Sequence, residues 1–105
     1  SKAPASAAEV PRTNRRDQKR AEAEARQARS HERQAAQHTV RELEKEIARL
    51  EQLQKDFTAE LENPDTYHKP GRAVAVNREL SAVTEDLARV VADWEQAAER
   101  LTALS

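Results

Sequence analysis

"ENPDTYHKPG" (residues 62–71) interrupts a chain otherwise made of helix formers. It holds Pro64, Pro70 and Gly71, the last being the only glycine in the protein. Asn63 reads as the residue just past a helix C-terminus, and Pro64 behind it cannot continue the helix. Pro70 and Gly71 then allow a reversal before a second helix that starts near Arg72. The expected turn is 63–71.

Working outward, each flank carries a heptad seam. Before the turn, Val40, Leu43, Ile47, Leu50, Gln54, Phe57 and Leu61 recur at spacings of three and four, with Gln54 the one polar member. After it, Val76, Leu80, Val83, Leu87, Val90, Trp94, Ala97, Leu101 and Leu104 do the same. Two such helices joined by a short connection fold back on one another. The register follows from the numbers. If facing residues sum to 137, Leu61 meets Val76, Phe57 meets Leu80, Gln54 meets Val83 and Leu50 meets Leu87. Ile47 then meets Val90, Leu43 meets Trp94, Val40 meets Ala97 and Ala36 meets Leu101. One sum pairs every layer, and the small Val40–Ala97 layer lies beside the large Trp94. An intermolecular pairing of the same seams would leave the turn without a purpose. Gln54 reads as a polar residue tolerated near the helix edge, with a role in fixing register as the alternative.

Composition supports a rod rather than a globule. Of 105 residues, 37% are hydrophobic, 3% aromatic and 35% charged, too little apolar matter for a globular core but enough for a narrow stripe. With no cysteine there is no disulfide framework and no thiolate chemistry. No apolar run has the length of a membrane span or signal-peptide core, so the chain is expected to be soluble and not exported. It begins with Ser1 rather than Met, which suggests a piece of something larger. The expected fold class is all-α: an antiparallel two-helix coiled-coil hairpin over 40–105, preceded by a flexible linker and a basic lead-in helix.

The linker is "SKAPASAAEVPRTN" (residues 1–14), rich in Ala, Ser and Pro and without periodicity. The lead-in, 15–39, has high helix propensity but only alanine to bury. Capped by Thr13 or Asn14, it is expected to be helical, weakly packed and frayed, with a break near Ser30 or at His38–Thr39. The net charge of −1 conceals an asymmetry: residues 1–39 carry nine Lys/Arg against five Asp/Glu, a balance of +4. Residues 40–105 carry nine against fourteen, a balance of −5.

Catalytic chemistry has little to stand on. One glycine cannot form a phosphate-cradling loop, and Ser30, Ser81 and Ser105 lie in no nucleophile motif. His31 and His38 are about 10.5 Å apart along a helix, too far to share a metal, so no metal site is expected. The many glutamates read as a solvated helix surface paired with Lys/Arg four residues away. Two features point to nucleic acid. Arg15, Arg16, Lys19 and Arg20 share one side of a helix, with Arg26 beyond, and suit phosphate contact; the bland alternative is a solubilising helix. At the turn, Tyr67, His68, Lys69 and Arg72 set an aromatic among cations, which suits stacking on a base. The alternative is that Tyr67 folds down to cap the end of the seam against Leu61 or Val76, since exposed aromatics usually find apolar cover.

In order and spacing, "NRRDQKRAEAEARQ", "VRELEKEIARLEQLQKDFTAELENPDTY" and "NRELSAVTEDLARVVADWEQAAERL" resemble the C-terminal domain of ABC-F ATPases of the Uup type. The shared marks are the Arg16–Arg20 run, the Asn63-Pro64-Asp65-Thr66-Tyr67 turn and the late Trp94-Glu95 pair, over about residues 12–105. "QAAQHTV" (residues 34–40) departs from the family, which often has a proline there. The resemblance implies a cytoplasmic, non-catalytic accessory arm that binds DNA or ribosomal RNA, with the ribosome as a further partner. It implies no cofactor in this chain, since ATP and magnesium would belong to two ATP-binding cassettes not present in it. No membrane contact is expected, and the chain by itself should be monomeric. The alternatives are a protein-interaction hairpin, contacting a partner or the parent's own ATPase domains, and the coiled-coil arm of another translation enzyme such as an aminoacyl-tRNA synthetase.

Overall fold

Between Arg12 and Glu62 the chain has neither proline nor glycine, and Ala, Glu, Arg, Gln and Leu dominate. In the computed structural model, which describes residues 12–105, this stretch is one helix, α1 (Arg12–Glu62). A short 3₁₀ helix (Pro64–His68) follows, then α2 (Arg72–Leu104). The described residues contain no strand.

The lead-in differs from the sequence expectation in two ways. The helix starts by Arg12, so residues 12–14 are helical rather than linker; the remainder of the expected linker lies outside the described residues. Nor is there a break at Ser30 or at His38–Thr39. The Thr39 hydroxyl donates to the Ala35 carbonyl at 3.1 Å, satisfying its polar group within the helix. With no proline or glycine to interrupt the ladder, good helix formers carry the helix straight through.

The turn follows from its two prolines. A residue before proline is driven out of the α region by the ring, and both such residues here are extended: Asn63 at φ −80°, ψ 119° and Lys69 at φ −95°, ψ 115°. Asn63 is the residue just past the end of α1, as the sequence suggested, and its backbone is extended. It caps the 3₁₀ helix, its Oδ1 accepting from the Asp65 N–H at 3.0 Å. The left-handed step falls on Gly71, at φ 75°. Thr66, buried, donates from its hydroxyl to the Glu60 carbonyl, and Tyr67 donates from its hydroxyl to the Leu61 carbonyl at 2.7 Å. Two carbonyls freed at the end of α1 thus find partners in the turn.

The helices run antiparallel and close in register. Gln54 Nε2 donates to Thr84 Oγ1 at 3.2 Å, and these two numbers sum to 138, one from the expected value. Farther from the turn, Leu43, Asp93 and Ala97 line one groove. Gln54 is thus no idle edge residue: it reaches across to Thr84, whose own hydroxyl donates to the Leu80 carbonyl at 2.8 Å. Every seam position is buried or half-buried. Leu50, Val76, Val83 and Ala36 are the buried apolar residues. The others keep one side open because two helices alone cannot enclose a seam. The Trp94 Nε1 is buried with no hydrogen-bond partner, a weak point in an otherwise satisfied core.

The helices differ in length. At 1.5 Å per residue, the 51 residues of α1 span about 76 Å and the 33 of α2 about 50 Å. By the register, Leu104 reaches only the level of residue 33. Residues 12–32 therefore project beyond the hairpin as a single helix about 31 Å long. Along it, positions 14–29 are all exposed.

Candidate nucleic-acid interface

The projecting helix places Arg15, Arg16, Lys19, Arg20 and Arg26 in solvent. Arg20 lies 3.6 Å from Glu24, one turn on, with both side chains largely exposed. Arg29 stands exposed on the same projection and Arg33 at its base, although neither was among the expected contacts. The overhang from 12 to 32 carries seven Lys/Arg against four Asp/Glu, a balance of +3.

The turn holds the other expected contacts. Tyr67 is tied down by its hydroxyl to the Leu61 carbonyl at the end of α1, while the residue remains 61% exposed. Val74, on the first turn of α2, is 57% exposed. His68 and Lys69 are exposed, and Lys69 serves the turn through its backbone N–H, which donates to the Thr66 carbonyl at 3.3 Å.

Arg72 is placed differently from its expected role. Its guanidinium grips both carboxylate oxygens of Glu60, at 2.5 and 2.8 Å, and the pair joins the last turn of α1 to the first of α2. Arg72 is half-buried, and its donors are directed inward rather than toward a ligand. Hydrogen bonding from Arg72 holds the Glu60 carboxyl below the usual carboxylate range, and the same bond holds the guanidinium above its ordinary value. A carboxylate with a lowered folded-state pKa stabilises the fold above its unfolded pKa. That stabilisation is lost as pH falls through the lowered value. In urea titrations, Arg72→Gln is therefore expected to unfold before the native protein at neutral pH. The gap between their midpoints should narrow as pH drops below the ordinary carboxylate range. A gap unchanged with pH would remove the ion pair as its cause.

The surface ion pairs Glu42–Lys45, Glu46–Arg49 and Asp86–Arg89 lie within single helices at a spacing of three rather than the expected four. They are solvent-facing and carry no functional geometry. Among the described residues no cluster of His, Asp and Glu could hold a metal, and no helix is long and apolar enough to cross a membrane.

The basic lead-in and the turn are not brought together. From Arg26 to Glu62 is 36 residues of continuous helix, about 54 Å. They are opposite ends of a rod, and no single phosphate group can touch both.

The described residues form a long antiparallel helical hairpin with a charged single-helix extension. The ABC transporter C-terminal domain family matches residues 31–99, and the chain belongs to that family. The matched span covers most of the hairpin, and the part of the overhang N-terminal to His31 lies outside it. Neither the curated proteins nor the solved structures offer a match to the chain.

Proposed function

We propose that this C-terminal domain is a non-catalytic nucleic-acid-binding arm of a cytoplasmic ABC-F ATPase of the Uup type that acts in translation. The observation that carries the proposal is the overhang: a stiff helix, exposed throughout residues 14–29 and with an excess of positive charge, joined without a break to a hairpin of net negative charge. Phosphate contact requires positive charge held at fixed positions and no base-specific group. ATP and magnesium belong to the parent's cassettes; the part proposed for this chain is to hold DNA or ribosomal RNA. With a balance of only +3 on the overhang, binding should be weak, sequence-independent and sensitive to salt.

The test is fluorescence anisotropy of the 105-residue chain with a labelled DNA duplex and a labelled RNA hairpin, at low and physiological salt. A variant with Arg15, Arg16, Lys19 and Arg20 changed to Gln is measured beside it. The native chain is expected to bind, more tightly at low salt. The variant should lower the slope of log affinity against log salt by about 2 to 4, roughly one unit per lost phosphate contact. Absence of binding to both probes at low salt would sink the proposal.

The exposed Tyr67 and Val74 at the turn favour a second reading, an arm that docks against a protein partner or the parent's own ATPase domains. That reading takes precedence if neither nucleic acid binds.

A further inference from the structure

The heptad frame of α1 does not stop where its partner helix stops. Counted back from Val40 by the same alternation of four and three, it runs through Ala36, Arg33, Arg29, Arg26, Glu22, Lys19 and Arg15. Within the hairpin these positions are apolar except for Gln54. Beyond the end of α2 they are cationic, with Glu22 the one departure.

Because α1 is unbroken, this line exists in space and not only in the sequence. At about 100° per residue, Arg15, Lys19, Arg26, Arg29 and Arg33 fall within about 80° of arc, along about 27 Å of helix. All five are exposed, and none is ion-paired among the described residues. Asp17, Glu24 and Glu32 lie about 200°, 180° and 260° around the helix from Arg15, away from the line. Arg16 and Arg20 are about 100° and 140° away, and Arg20 faces Glu24.

A seam that turned toward another helix would need apolar residues at these positions, since burying unpaired guanidinium groups is costly. This stretch offers no such residue. A polyanion lying lengthwise would instead neutralise the line without desolvating it fully. We propose that the line is a rail for the phosphate backbone of a double-stranded nucleic acid lying along the overhang, an inference that rests on the nucleic-acid reading above and deepens it. Two observations favour a duplex over a single strand. Single strands are held by stacking on aromatic side chains, and the line has none. A duplex presents about one charge per 1.7 Å of axis, twice the density of one of its strands at about 3.4 Å, so a rigid line of cations about 27 Å long lies in a stronger anionic field along a duplex. Positive charge held at fixed spacing along the helix suits contact with the phosphate backbone, which carries no sequence information.

The test compares two matched double substitutions in the 105-residue chain: Arg26→Gln with Arg33→Gln on the rail, and Arg16→Gln with Arg20→Gln beside it. Circular dichroism checks that each remains helical. Affinity for a labelled DNA duplex, and for one of its strands alone, is measured by anisotropy across a salt series. The rail pair is expected to lower the salt slope by about 1.8, at about 0.9 per phosphate contact, and the off-rail pair by less than about 0.5. The single strand should bind more weakly than the duplex. Equal effects of the two pairs, or equal binding of strand and duplex, would overturn the rail while leaving the nucleic-acid arm standing. No binding of either probe by the native chain at low salt would overturn both.

Discussion

Leu50→Ala is expected to cost the hairpin about 3 kcal/mol, within the usual range for a buried Leu cut to Ala. Leu50 is only 2% exposed, the most enclosed residue on α1 in a protein whose described core is otherwise Ala36, Val76 and Val83. Cutting it removes apolar contact and leaves a void between two helices that touch along one line only. No second layer stands behind them to collapse into the space. A single small core rarely supplies more than about 3–5 kcal/mol. One such substitution should therefore leave much of the α1–α2 pairing open at room temperature. Urea unfolding followed by far-ultraviolet circular dichroism tests this, with Glu44→Ala on the exposed face of the same helix as control. Matching midpoints for the two variants would mean that Leu50 does not hold the seam.

The second large effect is expected at Gly71, where substitution by Val should destabilise by about 2 kcal/mol through the backbone alone. The residue sits at φ 75°, and a Cβ built there meets nothing within 4 Å. No neighbour is crowded, so the cost is the local clash of an L side chain in a left-handed conformation, about 1–2 kcal/mol and more for a β-branched residue. Pro70 on one side and the first turn of α2 on the other leave the chain little freedom to move the reversal elsewhere. The order of unfolding midpoints should be Gly, then Asn, then Ala, then Val. An Ala variant as stable as the native protein would show that the reversal tolerates another backbone path.

Much of the architecture was legible in the sequence because a coiled coil writes its packing into its spacing. The two seams specified both helices, their antiparallel sense and a register within one residue of the Gln54–Thr84 bond. Pro64, Pro70 and Gly71 marked the turn for local reasons that need no tertiary information. Spacing could not supply the detail of that turn. Thr66 was unremarkable in sequence, yet it is buried with its hydroxyl on the Glu60 carbonyl, because the 3₁₀ helix swings it back over the end of α1. Arg72 looked like a free cation at a tip; Glu60 lies twelve residues earlier and becomes its neighbour only once the chain has reversed.

The candidate site divides in the same way. That the N-terminal third is basic and the hairpin acidic is a property of composition, fixed before any folding. That the break anticipated near Ser30–Thr39 is absent, and that Arg26 and the turn stand about 54 Å apart, follows from continuous helix propensity along α1. That the cations in line with the seam form one line in space depended on α1 running unbroken, and that no helix covers them depended on the place where α2 ends. By itself the sequence determined two helices, their pairing and the charge that each end carries, because these rest on period and residue type. Only the tertiary structure decided which charges are spent on the fold and which face outward, because ion pairing depends on distances that exist once the chain has turned back on itself.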